Sequence, residues 1–581
     1  MSVFYALEMA NLFLGLFLCL TLAGVVSQGK AFDYPFLKKA SSFSANQRSY
    51  DYIIVGGGTA GCPLAATLSQ NFSVLLLERG GSPYGNQNIS RMQNFHISLA
   101  NVAPGSPVQA FVSTDGVINA RGRVLGGGTC INAGFYTRAS PRFVRSAGWD
   151  AELVKESYPW IEKQIVYWPA LAPWQQAFQD GLLQAGVLPF NGHTYDHLYG
   201  TKVGGTIFDK NGIRRTAADL LAAANPANLR VMLHASVQRI LFDTRGRKPR
   251  ATGVVFKDET GNDHRVVLSN RRNSEVILST GAIGTPQLLM LSGIGPLSEL
   301  SKMKIPVLLR NEFVGKGMSD NPMNSIFIPT KKPVVQSLIQ VVGITKMGSY
   351  IEACSGFGQS SDSIQRNHGI MSAEIGQLSS IPPKQRTPEA IRAYRERKHG
   401  LPYELFRGGF LLSKVVGPRS KGYLNLTSTN VDDNPSVTFN YFSDPEDLKR
   451  CVNAIRLMER IARSRRLAEL TEDDEYTMAM LLNMTVQANV NLIPKHSGNT
   501  DSLEQFCKDT VITIWHYHGG CHVGKVVDLN YRVLGVDRLR IVDGSVFNES
   551  PGTNPQATVM MLGRYMGVKL LREVLGSAAG V

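Results

Sequence analysis

Three histidines near the carboxy terminus, His516, His518 and His522, are the residues whose type and spacing most suggest chemistry. An imidazole titrates near neutral pH, so one of them can take a proton from a bound molecule. Together they could also ligate a metal, but no neighbouring acid or cysteine pair completes a ligand set. We therefore predict a proton-transfer site in this segment and no metal site.

Asn554 and Pro555 stand further along the same segment, ahead of an apolar stretch. Asparagine is a preferred helix N-cap and proline suits the first helical position, so the pattern predicts a helix over residues 556–569. Asn554 could therefore act only as a helix cap. Alternatively, its amide could hold a substrate oxygen on which negative charge develops, since an amide donates hydrogen bonds without exchanging protons.

A glycine-rich segment near the amino terminus predicts a dinucleotide-binding element. Gly56, Gly58 and Gly61 have the G-x-G-x-x-G spacing, which permits a tight turn and a close approach of backbone to a pyrophosphate. The surrounding elements are predicted as a strand over 52–55, a helix over 59–70 with its N–H groups facing the phosphates, and a strand over 73–77. Glu78 follows, where an acid can bind ribose hydroxyls. The alternative is a glycine-rich turn in an ordinary α/β unit.

Other segments complete this pattern. Residues 120–139 hold five glycines, among them Gly126, Gly127, Gly128 and Gly134, which indicates backbone that passes close to something flat or charged. Residues 229–278 alternate like a strand meander, and residues 281–295 repeat the strand-turn-helix logic of the first element. The region from 306 to 500 lacks glycine fingerprints, and its position predicts a substrate domain inserted into the nucleotide fold.

The composition is that of an ordinary globular protein long enough for more than one domain, with 43% hydrophobic and 18% charged residues among 581. The formal charge of +15 favours contact with acidic surfaces, such as a polyanionic extracellular matrix in the cell wall. The positive charges are dispersed rather than gathered in a block, so we predict no nucleic-acid binding.

An apolar run over residues 11–26 indicates entry into the secretory route. Its length suits a signal peptide better than a spanning helix, which needs about twenty apolar residues. Glu8 is the only charged side chain ahead of the run, which is atypical, so an uncleaved anchor is the rival interpretation. We predict a signal peptide over 1–30, a linker over 31–48, secretion, and no stable membrane span after cleavage.

Five N-x-[ST] sequons are compatible with secretion and with a glycoprotein: Asn71, Asn88, Asn425, Asn483 and Asn548. Six cysteines remain once the signal is removed. Six in so long a chain form no disulfide framework, but an oxidising compartment permits one or two bridges.

The motifs together resemble the glucose–methanol–choline oxidoreductases, which are FAD flavoproteins. Residues 122–136 match the first family signature and residues 281–295 the second. The resemblance extends from Asp51 to Gly567 and is strongest to the family's plant branch. It implies an α/β (α+β) fold, a Rossmann-like FAD-binding domain with an inserted substrate-binding domain built on an antiparallel sheet.

The implied boundaries divide each domain into pieces along the chain. The FAD-binding domain comprises residues 49–145, 226–322 and 506–575. The substrate domain comprises residues 146–225 and 323–505. Cys451 and Cys507 match cysteines that are paired in plant lyase relatives, so the resemblance implies a disulfide between them.

The resemblance also implies which residues bind FAD. The ADP half would be held by Gly56, Gly58, Thr59, Ala60, Gly61, Glu78 and Arg79, with Val237 near the adenine. The flavin and the linking phosphates would be held by Val124, Gly127, Thr129, Asn132, Ala133, Asp543, Gly544, Asn554, Pro555 and Gln556. Some relatives link the flavin covalently to a histidine just before the equivalent of Asn132. Ile131 occupies that position, so we expect non-covalent FAD.

For catalysis, the resemblance implies that His518 takes the hydroxyl proton of an alcohol, that Asn554 holds the oxygen, and that hydride passes to the flavin. For the most similar plant proteins, the implied substrates are lipid-like long-chain ω-hydroxy fatty acids, oxidised towards ω-oxo or dicarboxylic acids for the plant cuticle. One alternative is a hydroxynitrile (mandelonitrile) lyase with non-redox FAD. Such lyases use two histidines, and this chain has Asn554 at the second of those positions. A third hypothesis is a non-catalytic flavoprotein scaffold.

Overall fold

The computed structural model describes residues 34–44, 49–95, 105–356, 408–471, 477–488 and 502–576. Phe36–Val581 form one unit, to which the description below refers. The strands, in chain order, are β1 (Leu37–Lys39), β2 (Ser49–Tyr50), β3 (Tyr52–Val55), β4 (Val74–Glu78), β5 (Val108–Val112), β6 (Ile118–Gly122), β7 (Phe135–Tyr136), β8 (Phe190–His193), β9 (Gly200–Val203), β10 (Gly205–Thr206), β11 (Leu229–Leu233), β12 (Ser236–Asp243), β13 (Arg250–Lys257), β14 (Asp263–Leu268), β15 (Glu275–Leu278), β16 (Ile294–Gly295), β17 (Leu309–Arg310), β18 (Lys316–Met318), β19 (Met323–Pro329), β20 (Val341–Ile344), β21 (Ser349–Ser355), β22 (Gly408–Val415), β23 (Gly422–Asn425), β24 (Ser436–Thr438) and β25 (Leu539–Ile541).

The α-helices of the described residues follow the same order: α1 (Gly61–Leu68), α2 (Gln87–Ser90), α3 (Pro141–Ser146), α4 (Ala151–Ile165), α5 (Pro173–Gln184), α6 (Gly281–Leu291), α7 (Leu297–Lys302), α8 (Pro445–Ala462), α9 (Arg465–Leu470), α10 (Met478–Ala488), α11 (Leu503–Asp509) and α12 (Gln556–Leu575).

A six-stranded parallel sheet, ordered β1-β11-β4-β3-β15-β25, forms the first layer. Every neighbouring pair in it is parallel. All residues of β3 and β4 are buried, as expected for parallel strands covered on both faces. Helices α1 and α12 pack against each other beside this sheet. The predicted strand, glycine turn, helix and strand of the dinucleotide element are therefore present in that order.

A second six-stranded sheet, ordered β19-β22-β21-β20-β9-β8, is antiparallel except for the β8–β9 pair. Helices α5 and α8 pack on it. Helix α8 begins after Asp444, whose side chain accepts a hydrogen bond from the Glu446 N–H at 2.9 Å. Its apolar stripe, including Ile455 and Met458, is buried against Trp174 and Phe178 of α5 in a single cluster.

The strands of the parallel sheet come from three separate stretches of chain, and the antiparallel sheet is built from the segments between them. The predicted fold class, a Rossmann-like domain with an inserted domain on an antiparallel sheet, is confirmed. The exact domain boundaries stay a prediction. The linker prediction for residues 31–48 is wrong at Leu37–Lys39, which form β1 and pair with β11 at the sheet edge. Backbone hydrogen bonds alone make this pairing, so a polar sequence gives no sign of it.

Cys451 of α8 and Cys507 of α11 form a disulfide, the pairing that the resemblance implies. Cys62, Cys130, Cys354 and Cys521 are free and buried. Among the described ranges, no helix combines the length and apolar character needed to cross a membrane. In that same part of the chain, no three histidine, cysteine or acidic side chains gather as metal ligands.

Candidate functional site

A large cavity opens at the carboxyl ends of the central parallel strands. Val55 ends β3, Leu77 and Glu78 end β4, and Ser279 follows β15, and all of them line the cavity. This edge is where open parallel sheets bind their ligands. The cavity contains about 1740 Å³ of space, part of it open to solvent. Its lining runs from the glycine turns to His516 and Asn554, so one cavity could hold an extended cofactor together with a substrate.

Three glycines shape one end of the cavity through their backbone. Gly56 has φ +102°, and a Cβ on it would lie 2.4 Å from the Ser279 carbonyl oxygen. A Cβ on Gly61 would lie 2.0 Å from the Gly56 carbonyl oxygen, so this glycine lets α1 approach the strand turn. A Cβ on Gly127 would lie 2.8 Å from the Gly58 Cα. The two glycine segments therefore touch through bare backbone and leave a smooth wall.

Glu78 lines the cavity at the end of β4, and its carboxylate also organises the wall. Oε2 accepts a hydrogen bond from the Gly57 N–H at 2.9 Å, and Oε1 accepts one from the Gly80 N–H at 2.7 Å. Each carboxylate oxygen has lone pairs left for a further donor, such as a ribose hydroxyl. The predicted role in cofactor binding is thus compatible with the protein's own hydrogen bonds.

Asn132 sits in a network that joins three distant segments. Its Nδ2 donates to Gln556 Oε1 at 2.8 Å, and its Oδ1 accepts from the Gly134 N–H at 2.9 Å. Arg214 Nη1 also donates to Asn132 Oδ1 at 3.1 Å and to the Thr129 carbonyl at 3.0 Å. Burial lowers the pKa of Arg214 to about 9. Sequence reasoning missed Arg214, because a lone arginine so far from the motif carries no signal of its own.

Asp543 joins the second glycine element to the carboxy-terminal segment. Its Oδ2 accepts from the Gly281 N–H at 2.9 Å and from Thr285 Oγ1 at 2.6 Å, and its Oδ1 accepts from the Ser545 N–H at 2.8 Å. Burial raises its pKa, which these donors oppose. The carboxylate therefore braces the N-terminus of α6, and Asp543 and Gly544 both line the cavity.

Most residues predicted to bind the cofactor line this one cavity: Gly56, Gly58, Thr59, Ala60, Glu78, Arg79, Val124, Gly127, Asn132, Ala133, Val237, Asp543, Gly544, Asn554, Pro555 and Gln556. Gly61 and Thr129 are not in the wall. Gly61 serves helix packing, as described above. Thr129 Oγ1 donates to the Gly126 carbonyl at 2.6 Å and accepts from the Ala217 N–H at 2.9 Å, so this hydroxyl braces the glycine turn.

His516 lies in the wall of the same cavity, in the part that side chains rather than glycine backbone form. Its backbone N–H donates to Asp320 Oδ1 at 3.1 Å, and Asp320 also accepts from Thr513 and Tyr441. Nδ1 of the ring is 3.2 Å from Asn321 Nδ2, and Nε2 has no hydrogen-bond partner among the described residues. Burial, and then the charge of Lys414, hold the pKa of His516 well below its usual range. The ring is therefore neutral at physiological pH.

His518, which was predicted to be the base, is not in the cavity wall. Its Nδ1 lies 3.0 Å from the His516 carbonyl, and its backbone pairs with Ser319. Burial, and then the charge of Lys421, lower its pKa to about 3. The structure therefore brings His516 rather than His518 together with Asn554. Two histidines separated by one residue look equivalent in sequence, so the pattern could not distinguish them.

Asn554 lines the cavity but does not cap a helix. Helix α12 begins at Gln556 with Pro555 at its N-cap and no side-chain cap, and it continues to Leu575, beyond the predicted end. Asn554 Oδ1 instead accepts a hydrogen bond from Lys414 Nζ at 3.2 Å. The interpretation of Asn554 as only a helix cap is therefore wrong, and its amide is available to the cavity.

Apolar side chains line the same cavity as this polar pair: Ile131, Ala133, Phe135, Ile339, Ile514 and Trp515. They belong to two apolar clusters that also include residues of the antiparallel sheet. A neutral imidazole and an amide in an apolar wall suit a substrate with one hydroxyl on a hydrocarbon body.

Comparisons with known proteins agree with this geometry. Two family models described as GMC oxidoreductase match the chain, over residues 50–323 and 418–563. Protein HOTHEAD of Arabidopsis thaliana is 61% identical over 97% of this chain and 98% of its own length. An (R)-mandelonitrile lyase-like protein of the same plant is 46% identical, over 93% of this chain and 92% of its own. Sinalpyl alcohol oxidase Nec3 of Nesocodon mauritianus is 43% identical over the same shares.

Solved structures share the fold at low sequence identity. A formate oxidase superposes with a TM-score of 0.70 at 19% identity, covering 90% of this chain and 98% of its own. Pyridoxine 4-oxidase from Mesorbium loti superposes with a TM-score of 0.69 at 21% identity, covering 89% and 98%. At such identities the likeness concerns the fold alone.

Proposed function

The chain belongs to the GMC oxidoreductase family of FAD-dependent enzymes, and we propose that it oxidises the terminal alcohol of long-chain ω-hydroxy fatty acids. The products would be ω-oxo acids and, on further oxidation, dicarboxylic acids of the kind that build plant cuticle. The observation that carries the proposal is the pairing of a neutral imidazole, His516, with a proton-inert amide, Asn554, in one apolar wall.

FAD fits the cavity on the structure's own terms. A Cβ on Gly58 would meet no protein atom closer than 3.9 Å, so this bare stretch of cavity wall has space beside it for a cofactor to lie against the backbone. Ile131 offers no nucleophile for a covalent link, so the cofactor is held by hydrogen bonds and packing. When bound, FAD supplies the acceptor for the hydride that leaves the alcohol carbon.

His516, in place of His518, is the proposed base. Base action at Nε2 requires the ring proton to sit on Nδ1, which then needs an acceptor. Asn321 presents Nδ2 to Nδ1 while its Oδ1 accepts from the Gly417 N–H at 3.3 Å. With the amide placed this way, Nδ1 accepts and the ring proton sits on Nε2. A half-turn of the amide would present Oδ1 to Nδ1 and leave Nε2 unprotonated, and it would give up the bond from the Gly417 N–H. Asn321 is thus the residue that selects which proton state His516 offers to the substrate.

Asn554 is proposed to hold the substrate oxygen. Because Oδ1 is engaged by Lys414, the group left for the cavity is the Nδ2 amide, which is a donor only. A donor stabilises the oxygen as its proton leaves, and it cannot take that proton itself. This favours an alcohol oxidoreductase over a hydroxynitrile lyase, whose two-histidine site has a second proton-accepting ring.

The substrate class is proposed from the apolar wall and from charge. A hydrocarbon chain matches the six apolar side chains that line the same cavity as His516 and Asn554. The formal charge of +15 attracts an anionic substrate such as a fatty acid at long range. The same charge would favour contact with an acidic cell-wall matrix.

Secretion is proposed from the apolar amino-terminal run, and the disulfide between Cys451 and Cys507 supports it, since such bridges persist in oxidising compartments. The sequons Asn71, Asn483 and Asn548 are exposed and are the first candidates for glycan attachment. Peptide mass mapping of the secreted protein, with and without glycosidase treatment, tests both statements.

The decisive experiment mixes the purified holoprotein with an ω-hydroxy fatty acid without oxygen and follows the flavin absorbance. Bleaching is expected, and the His516→Gln variant with FAD still bound should bleach roughly 10²–10⁴-fold more slowly. Cyanide release from mandelonitrile without bleaching would replace the proposal by the lyase. Neither reaction, with FAD bound and the protein folded, would indicate the non-catalytic scaffold.

A further inference from the structure

An ion pair with no solvent exposure lies directly behind Asn554. Lys414 Nζ is 2.7 Å from Glu352 Oε1, and both side chains are 0% exposed. The two residues stand on the neighbouring strands β22 and β21, and Nζ also sits 4.4 Å from the centre of the Tyr350 ring. Burial lowers the pKa of Lys414, and the Glu352 carboxylate opposes that shift.

Stability alone does not account for this pair. Removing two charges from water costs several kcal/mol each, and apolar residues of similar volume often stabilise a core as well or better. Glu352 Oε2, moreover, is buried and has no hydrogen-bond partner among the described residues. A pair optimised for stability would use both carboxylate oxygens, so a different role is indicated.

The third partner of this pair is the candidate oxygen-binding residue. Lys414 Nζ donates to Asn554 Oδ1 at 3.2 Å, across 140 positions of chain and between the antiparallel layer and the loop before α12. Asn554 Nδ2 makes no hydrogen bond within the described residues, and Asn554 lines the cavity. A cation that engages the amide oxygen withdraws electron density from the amide and makes its N–H groups stronger donors.

We propose that Lys414 and Glu352 form a positioning pair, which holds the Asn554 amide with its N–H groups towards the substrate oxygen and strengthens them as donors. Glu352 holds the lysine head group in place, and Lys414 sets the amide. The role of Asn554 as oxygen binder rests on the proposed function. The orientation of its amide by Lys414 rests on the contacts of these three residues.

The pair also determines what position 554 can do. With its oxygen engaged by a cation, the Asn554 amide offers only donors, so it favours an oxygen that gains negative charge over a neutral one. A free asparagine could turn either end to the cavity and would bind both states of the substrate oxygen similarly. Lys414 therefore acts on the transition state more than on the bound substrate.

The test removes the charges without leaving one of them orphaned. In the Lys414→Met/Glu352→Leu double variant, kcat for flavin reduction should fall by roughly 10- to 100-fold, a smaller loss than for removal of a donor itself. KM and the melting temperature should change little. In an Asn554→Ala background the same double variant should lower kcat much less, because only the effect of the Lys414 charge on His516 then remains.

Lys202→Met is the matched control. Lys202 is another fully buried lysine, but its Nζ donates to Thr137 Oγ1 and to the carbonyls of Thr194 and Asp196, away from Asn554. Loss of this lysine should lower stability and leave kcat of the folded enzyme unchanged. A folded Lys414→Met/Glu352→Leu variant with wild-type kcat would overturn the proposal, and so would an equal loss of kcat with and without Asn554.

A binding measurement separates this proposal from the proposed function. A saturated fatty acid presents a carboxylate in place of the developing alkoxide, and its binding can be followed by the flavin absorbance. With Asn554 present, the double variant should bind the fatty acid at least tenfold more weakly than the wild type. In the Asn554→Ala background, proteins with and without the Lys414–Glu352 pair should bind it equally. That result would stand even if the wild-type protein failed to oxidise alcohols. Unchanged affinity in the Asn554 background would refute the positioning role.

Discussion

The two ends of the cavity are built in different ways. At one end, the wall is the backbone of Gly56, Gly58 and Gly127, where glycine turns from separate segments of the chain meet. At the other end, the wall is made of side chains, and each is held by a residue that is distant in the sequence. His516 is held by Asn321 across 195 positions, and Asn554 by Lys414 across 140.

This difference separates binding from chemistry. A backbone wall accepts a cofactor by shape, and any added carbon atom harms it. A side-chain wall works only if each group has the right proton state and orientation, so its supports matter as much as the groups themselves. Mutations at the glycine end should therefore affect folding and cofactor content, whereas mutations at the other end should affect turnover and its pH dependence.

The largest effect is expected at Gly61. Gly61→Ala would place a Cβ 2.0 Å from the Gly56 carbonyl, where only backbone could yield, at a cost of roughly 1–3 kcal/mol or more in unfolding free energy. Lower melting temperature and lost FAD should appear together. Gly58→Ala is the matched control, since its Cβ would find the nearest atoms at 3.9 Å and project into the cavity. It should keep the stability of the cofactor-free protein and weaken FAD binding. If Gly61→Ala and Gly58→Ala had the same stability and FAD content, the packing role of Gly61 would be refuted.

The next effect concerns the two histidines. His516→Gln should lower the rate of flavin reduction by roughly 10²–10⁴-fold with FAD retained, because the general base is lost. His518→Gln should cost much less, since His518 is outside the cavity wall. Single-turnover kinetics of both variants, normalised to bound flavin, decide the point. The reverse ranking would return the base role to His518.

A moderate effect on pH dependence is expected at Asn321. In the wild type the pKa of His516 is depressed, so turnover should persist as pH falls through 6.5, where an ordinary histidine becomes protonated. Asn321→Asp places a carboxylate beside Nδ1, which should raise that pKa by roughly 1–3 units and move the acidic loss of activity to higher pH. Asn321→Leu should lower turnover without this move. An unshifted profile in Asn321→Asp would exclude Asn321 from control of the ring.

The smallest effect is expected at His197, which lies beside the loop that leads to Asn554. A Cβ on Gly552, in the loop leading to Asn554, would lie 3.2 Å from the His197 ring, whose pKa burial lowers to about 4. The folded ring is neutral while the unfolded one gains a proton below about 6.5, so stability should fall as pH falls from there towards 4. His197→Gln should flatten this decline in thermal melts, and the exposed His193→Gln should not. A matching slope in the wild type and His197→Gln would exclude His197 as a contributor.

The sequence predicted the glycine end of the site well because its geometry is local. Strand, glycine spacing, helix and Glu78 lie within one short stretch, although Gly56 and Gly58 also pack on Ser279 and Gly127 from other segments. Thr129 is the exception, since its position in a conspicuous motif suggested ligand contact, whereas its hydroxyl braces the turn against Ala217. The hydrogen bond from the Ala217 N–H to Thr129 joins residues 88 positions apart, so the motif alone could not reveal this bracing role.

The side-chain end was only partly predictable. His516 and His518 are chemically equal in sequence, and the choice between them depends on which ring faces the cavity. Lys414, Glu352, Asn321 and Arg214 carried no signal, because each looks like an ordinary strand or loop residue until the two sheets meet. Asn554 was recognised, but its freedom from the helix cap became visible only through its bond to Lys414.

The bridge between Cys451 and Cys507 connects the fold to the host cell that makes it. It closes a loop of 56 residues, which is worth about 4 kcal/mol in the chain-entropy account, and it fastens α11 just before the segment that carries His516. The glycine wall contains neither cysteine. Expression in a reducing cytosol would leave this bridge unformed. The chain could then bind its yellow cofactor at the glycine end while the segment that carries His516 is poorly ordered. Colour alone is thus an insufficient quality criterion for recombinant preparations.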